Sequence, residues 1–346
     1  MATPLTPSQT ATPSQTAAGA ANAGKRPRDV RLDFFRGIGM FIIFMAHTPG
    51  NTWTLWIPAR FGFSDATEIF VFCSGMASAL AFGAVFDRLG WVMGCVRVAH
   101  RMWQVYWAHI CLFLIIAAQT VVMTQWSGIE RNYMGALNLL PFFNDNTPDN
   151  LVGLLTLTYV PNYFDILPMY LVILALLPIV MLLGSVHPVL AGVWIAGLWL
   201  LATFEIVDFP AEPWSDRAWF FNPFGWQLIF FTGFAFIRGW LPAPPISRGL
   251  VYLAAGVVLV SLPFAYERMY WVVGALEPVR PAIYEVRGAI SPLIEKSDFG
   301  LFRYLHFLAL AYLAYAWAGA QGVRLVRSGW IGTAIDMVRQ VGQQSL

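Results

Sequence analysis

An all-α, polytopic transmembrane helical bundle is the fold this sequence predicts, on three observations. The chain is 58% hydrophobic and 12% charged, with a mean hydropathy of +0.61, a composition that one soluble core cannot bury. Its apolar residues gather into runs of membrane length. Basic residues recur in alternate connections, as expected when the chain crosses a bilayer repeatedly. The net charge of +2 matters less than this distribution.

The first span lies within Asp33 to Gly50. Further spans are expected at Ala66 to Phe86, Gln104 to Met123, Tyr163 to Leu183, Pro188 to Phe204, Pro223 to Trp240, Leu250 to Tyr266 and Leu301 to Ala318, giving about eight membrane-spanning helices. Arg88, Arg97 and Arg101 follow the second span, Arg238 and Arg248 the sixth, and Arg324, Arg327 and Arg339 the eighth. They share a side with the basic N-terminal tail, which places both termini in the cytoplasm. Arg268, Arg280 and Arg287 fall outside in this scheme. The outer segments Trp126 to Asn150, Glu205 to Asn222 and Glu267 to Gly300 hold most of the acids. Their Trp126, Trp214, Trp219, Tyr133 and Tyr284 suit an interfacial belt and also suit stacking on a sugar. Arg88 to Trp107 is expected as a basic amphipathic helix on the cytoplasmic surface, anchored to anionic lipid or lining a cofactor entrance.

Residues 1–30 form a cytoplasmic tail with no packing potential. Met1 to Gly24 is rich in Thr, Pro, Ser, Ala and Gln, repeats TPSQT at Thr6 and Thr12, and precedes Lys25, Arg26 and Arg28. The stretch lacks the apolar region and cleavage site of a secretory signal and is expected to stay attached. Residues 31–346 form the membrane domain. Cys73, Cys95 and Cys111 are odd in number and share no CxxC, so neither a disulfide framework nor a metal site is expected.

Within the first span, Arg36 and His47 interrupt an apolar run, where ionisable residues mark a site by default. Eleven residues separate them, so on a helix they share one face, within about 20° and ~16 Å apart along the axis. Two readings stand. In one, Arg36 snorkels to phosphates and pairs with Asp33, and His47 hydrogen-bonds a neighbouring helix. In the other, the Arg36 fork holds a phosphate on the cytoplasmic side while His47, further out, takes a proton from an acceptor. At the second span, Asp65 suits a helix cap, with Ser64 as a rival. Glu68 either orients the His47 imidazole or meets the helix dipole.

Several stretches carry a resemblance: Arg31-Leu-Asp33-Phe-Phe-Arg36-Gly37, His47, Gly62-Phe-Ser-Asp65-Ala-Thr-Glu68, Phe72-Cys-Ser74-Gly75, Asp165-Ile-Leu-Pro168-Met-Tyr170, Phe221-Asn222-Pro223-Phe-Gly-Trp226-Gln227 and Arg303-Tyr-Leu-His306. Together they resemble the OpgC family, membrane O-succinyltransferases of osmoregulated periplasmic glucans within the wider acyltransferase family three. The resemblance spans residues 31–346. It implies a multi-pass enzyme of the bacterial inner membrane that moves succinyl, or another acyl group, from cytoplasmic acyl-CoA to a periplasmic glucan. His47 would be the general base, with Glu68 beside it, and Arg36 with Asp33 would meet the donor. Arg303, with His306 one turn on, either binds the free carboxylate of succinate or neutralises an acid such as Glu68.

For the acceptor, Asp65, Asn162, Tyr163, Asp165 and Tyr170 are candidates, the last four where Pro161 and Pro168 interrupt an apolar stretch. They serve sugar hydroxyls or the broken helix's own backbone. Asn222, Trp226 and Gln227 open the sixth span, touching sugar or cofactor or simply starting the helix. Donor, glucan, bilayer and a glucan-synthesis complex are the expected partners, and nucleic acid is not. Family members continue past a stretch similar to Gly342-Gln-Gln-Ser-Leu346 into further apolar helices, so a span or two beyond Leu346 is expected to be missing. A secondary transporter or sugar-lipid flippase is the competing class, because intramembrane charge and broken helices occur there too. A scaffold in a glucan-synthesising complex is the third. No hydropathy repeat relates the two halves, which weighs against a transporter.

Overall fold

A computed structural model describes residues 29–126, 132–144, 147–266, 269–270 and 273–344. The expected tail with Lys25, Arg26 and Arg28, and also Arg268 and Ser345-Leu346, lie outside these residues. Nine principal helices form the described structure: α1 (Val30–His47), α2 (Ala66–Ser78), α3 (Ala84–Trp126), α4 (Ile166–Val186), α5 (Pro188–Thr203), α6 (Pro223–Arg238), α7 (Arg248–Ala265), α8 (Leu301–Ala318) and α9 (Gly329–Gln343). One isolated bridge, Pro210 to Ala218, is the β-pairing among the described residues. By length and composition, three described helices can cross a membrane: Ala66–Trp126, Ile166–Val186 and Arg248–Ala265. Pro188–Thr203 is apolar but shorter. The apolar helices mark a membrane protein.

Local chemistry sets most helix ends. Asp29 caps α1 through the Arg31 N–H (2.9 Å), and Asn222 caps α6 through the Phe224 N–H (3.0 Å). Pro188 and Pro223 occupy first-turn positions where no N–H is needed. Gly239 ends α6 in the left-handed region at φ 72°. Pro168 sits in the first turn of α4 and does not break it, contrary to the expected interruption.

The second and third expected spans follow one another without a loop, as helices that meet at a kink. α2 passes through a π turn, Ala79–Gly83, into α3, which is interrupted at Gly90 (φ 83°, ψ 177°). Beyond Gly90 the expected surface helix Arg88 to Trp107 continues directly into the third span. Nothing in Trp91 to Trp126 stops a helix: Gly94 is tolerated because the Phe86 ring lies against it.

Helices pack closely where glycines let backbones approach, the usual device between helices in lipid. A Cβ on Gly75 of α2 would meet the Phe230 carbonyl of α6, and one on Gly233 would meet the Phe72 carbonyl. Around this seam lies the main core, with Trp226, Phe230, Phe231 and Phe234 of α6 against Ile173, Leu174 and Leu177 of α4. At the other end of α6, Arg238 donates to both carboxylate oxygens of Asp87 (2.5 and 3.0 Å). α9 lies along α1, with Gly37 beneath Val338 and Gly342 beneath the Asp33 carbonyl.

A second core, built on Phe113, Leu139, Leu154, Tyr159 and Trp219, holds the connections before α4 and before α6. Glu212 ties them together. It accepts from Asn138 Nδ2 (2.8 Å) and Ser215 Oγ (2.5 Å) and pairs with Arg217 Nε (3.1 Å). Burial works to raise this carboxyl, but the Ser215 and Asn138 donors and the Arg217 charge outweigh it and hold it below its ordinary value of 4.5. A depressed folded-state value means stabilisation that is complete above 4.5 and lost as pH falls through the lower value. Glu212→Gln is therefore expected to lower neutral-pH stability by about 1–3 kcal/mol and to flatten the acid limb. Unfolding temperature followed from neutral pH down to below that range checks both, and an unchanged acid limb would sink the assignment.

Candidate active site

His47 is the last residue of α1 and is exposed. Its Nδ1 lies 2.9 Å from the Ile43 carbonyl. A carbonyl only accepts, so Nδ1 carries the proton and Nε2 keeps its lone pair in the neutral ring. Thr48 Oγ1 donates to Phe44 O (2.8 Å) and Asn51 Nδ2 to Met45 O (2.9 Å), closing the helix around the imidazole. The ring of Tyr163 meets the imidazole edge-to-face, centroids 5.9 Å apart and planes at 75°.

Glu68 does not join His47 in a hydrogen bond. It is fully buried and accepts from Arg303 Nε (2.8 Å) and Nη2 (2.5 Å) of α8 through one carboxylate oxygen. Its other oxygen accepts from the Asp65 N–H (2.8 Å), and Asp65 accepts in turn from the Thr67 N–H (2.7 Å), a capping box at the start of α2. Asp65 also takes Lys296 Nζ (2.5 Å), with Arg303 Nη2 at 3.7 Å. Of the two expected uses of Arg303, the structure displays the neutralisation of Glu68. His306, one turn along α8, is buried, and its Nδ1 faces Ser64 Oγ at 2.7 Å and accepts from the Ser64 N–H at 3.3 Å. Its ring lies against Gly62, where no Cβ fits. The whole cluster clasps α8 to the chain between α1 and α2.

Arg36 and Asp33 lie toward the opposite end of α1, both buried. Asp33 Oδ2 accepts from Gln343 Nε2 of α9 (3.1 Å), and α9 covers this face. Arg36 and His47 thus sit on one helix, with the cation enclosed and the base open.

The family model described as OpgC protein matches residues 28–346, nearly the whole chain. The chain belongs to the OpgC family. No curated protein and no solved structure matches it. OpgC membership suggests an acyltransferase-type role in glucan modification.

In this OpgC-family chain the residues expected to meet an acceptor are dispersed. Trp226 has no exposed surface; its Nε1 donates to the Lys296 carbonyl (2.9 Å) and its ring packs on Phe299 and Phe221, so it offers no face to a sugar. Tyr170 is half-buried against Phe230 at the edge of the main core. Asp165 is buried and accepts from the Phe220 N–H (3.1 Å), and Asn222 and Gln227 bond to neighbouring backbone. Trp219 is also buried, its Nε1 donating to the Pro210 carbonyl (3.0 Å), which removes it from any interfacial belt. Asn162 is exposed and donates to the Ala136 carbonyl (3.2 Å).

Tyr163, beside Asn162, is the one brought to His47. Its backbone is left-handed at φ 71°, a conformation that costs an aromatic residue about 1–3 kcal/mol and persists only where the surroundings impose it. No local pattern announces such a conformation, and contact with His47 joins segments more than a hundred residues apart.

Proposed function

We propose that this chain transfers succinyl from succinyl-CoA to glucose hydroxyls of a periplasmic glucan in the bacterial inner membrane. In this reading α1 to α8 provide eight crossings. The N-terminus and Arg36 lie on the cytoplasmic side, and His47 lies toward the periplasm. The observation that carries it is the contact of His47 Nδ1 with the Ile43 carbonyl: it commits Nδ1 and leaves Nε2 open at one end of the helix whose other end carries Asp33 and Arg36.

The acceptor oxygen bonds to the thioester carbonyl carbon as its proton passes to Nε2. The C–S bond breaks, and the departing thiolate recovers the proton from the imidazolium. Arg36 supplies a planar fork suited to donor phosphate. Because α9 covers this face of α1, direct contact requires α9 to yield there. Asp65, Glu68, Arg303 and His306 brace the periplasmic end through the contacts described above.

The test supplies labelled succinyl-CoA and unsubstituted periplasmic glucan to membranes carrying the chain and reads the glucan by mass spectrometry. A labelled succinyl increment that depends on the chain is the expected result. An increment from acetyl-CoA alone would replace the donor, and no increment from either would overturn the transferase reading.

A further inference from the structure

With Trp226 enclosed, an acceptor sugar needs another surface within reach of His47, and Tyr163 is placed to provide it. The ring is 72% exposed, although Pro161 on one side and Phe164 and Asp165 on the other are buried. Its hydroxyl makes no hydrogen bond to the described residues. The ring is nonetheless not on a loose loop. Val160 N–H donates to Ala211 O (2.8 Å), Arg217 Nη2 donates to Val160 O (2.9 Å), Phe164 N–H donates to Pro161 O (3.1 Å), and Asp165 receives the Phe220 N–H. A chain pinned on both sides holds one aromatic side chain outward, in a backbone conformation that residue disfavours, against the imidazole.

We propose that Tyr163 is the stacking platform for the acceptor sugar, a neutral pyranose whose hydroxyl is delivered to His47 Nε2; this rests on the transferase reading above. A pyranose has an apolar face of C–H groups and a rim of hydroxyls. Tyrosine matches both, with an apolar ring face and a phenol that donates and accepts. Its edge-to-face contact sets the platform beside the base, so a sugar on the ring brings its rim hydroxyls toward the imidazole. A lipid-interface anchor would need exposure alone; neither the imposed left-handed backbone nor the contact with His47 serves that purpose.

The test compares wild type with Tyr163→Phe, Tyr163→Leu and Tyr163→Gly, as full chains in lipid nanodiscs, with succinyl-CoA and unsubstituted glucan. Tyr163→Leu is expected to raise the acceptor KM about tenfold, with donor KM and kcat at saturating glucan nearly unchanged. Tyr163→Phe keeps most of the affinity. Tyr163→Gly relieves the left-handed backbone, so its unfolding temperature is expected to rise while acceptor affinity falls. A merely structural tyrosine would not move these two in opposite directions. An unchanged acceptor KM in Tyr163→Leu overturns the platform while leaving the transferase intact, and a fall in kcat alone makes Tyr163 a positioning residue for His47. If wild type transfers nothing, the transferase reading fails separately, and calorimetric titration with the glucan then decides: equal affinity of wild type and Tyr163→Leu, or no binding, overturns the platform.

Discussion

His47→Ala is expected to reduce acyl transfer by about 10²–10⁴-fold, the usual contribution of a positioned general base. Stability is expected to change by no more than about 1 kcal/mol, because the side chain is exposed and its hydrogen bond runs to its own helix at Ile43. Donor and acceptor KM are expected to hold, so the loss belongs to kcat. His47→Asn is the sharper variant: its amide nitrogen stands where Nδ1 stood and can donate to Ile43 O but is not basic, and it is expected to be as inactive as alanine. Steady-state transfer and unfolding temperature measured on the same preparations decide the matter. An asparagine variant with near wild-type kcat would remove His47 from the chemistry.

The fold was legible where the causes are local. The apolar runs located α4 to α8, and Pro188, Pro223 and Asn222 marked helix starts within a residue or two because N-terminal Pro and side-chain caps act on their own turn. The Arg36 to His47 spacing was legible for the same reason, since both belong to one helix. What escaped depends on contacts across the chain. Arg88 to Trp107 reads as an amphipathic surface segment, yet nothing separates it from the third span, and the interruption falls earlier, at Gly90. The α9 helix is short and weakly apolar; it is held by close backbone approach at Gly37 and Gly342, which no single window reveals. Trp226 and Tyr163 are both offered to the acceptor by the sequence, and only the folded chain separates them. A tryptophan after a helix cap turns inward to bond the Lys296 carbonyl, and a tyrosine in a proline-bounded loop turns outward to His47.

Arg303→Ala is expected to destabilise the protein by about 3–5 kcal/mol, because it leaves the Glu68 carboxylate buried without its counter-charge. Glu68→Ala is expected to cost at least as much, since it leaves Arg303 only the 3.7 Å contact with Asp65 and also removes the acceptor for the Asp65 N–H, undoing the capping box of α2. Arg303→Lys recovers part of the loss: it keeps the charge but not the two guanidinium donors that converge on one Glu68 oxygen. Replacing both partners by leucine is expected to restore the part of the stability lost to the unpaired buried charge, but not the part lost with the acceptor for the Asp65 N–H. Unfolding midpoints for these four variants, with the Glu68→Ala, Arg303→Ala double variant that closes a double-mutant cycle on the two alanine singles, measure the coupling. Were Arg303→Ala to unfold within about 1 kcal/mol of wild type while losing discrimination between succinyl-CoA and acetyl-CoA, the guanidinium would belong to the succinyl carboxylate and not to Glu68. The buried geometry, with Glu68 fully enclosed and accepting both donors, favours the structural outcome. In the proposed transfer, recognition of a succinyl carboxylate then falls to other donors than Arg303.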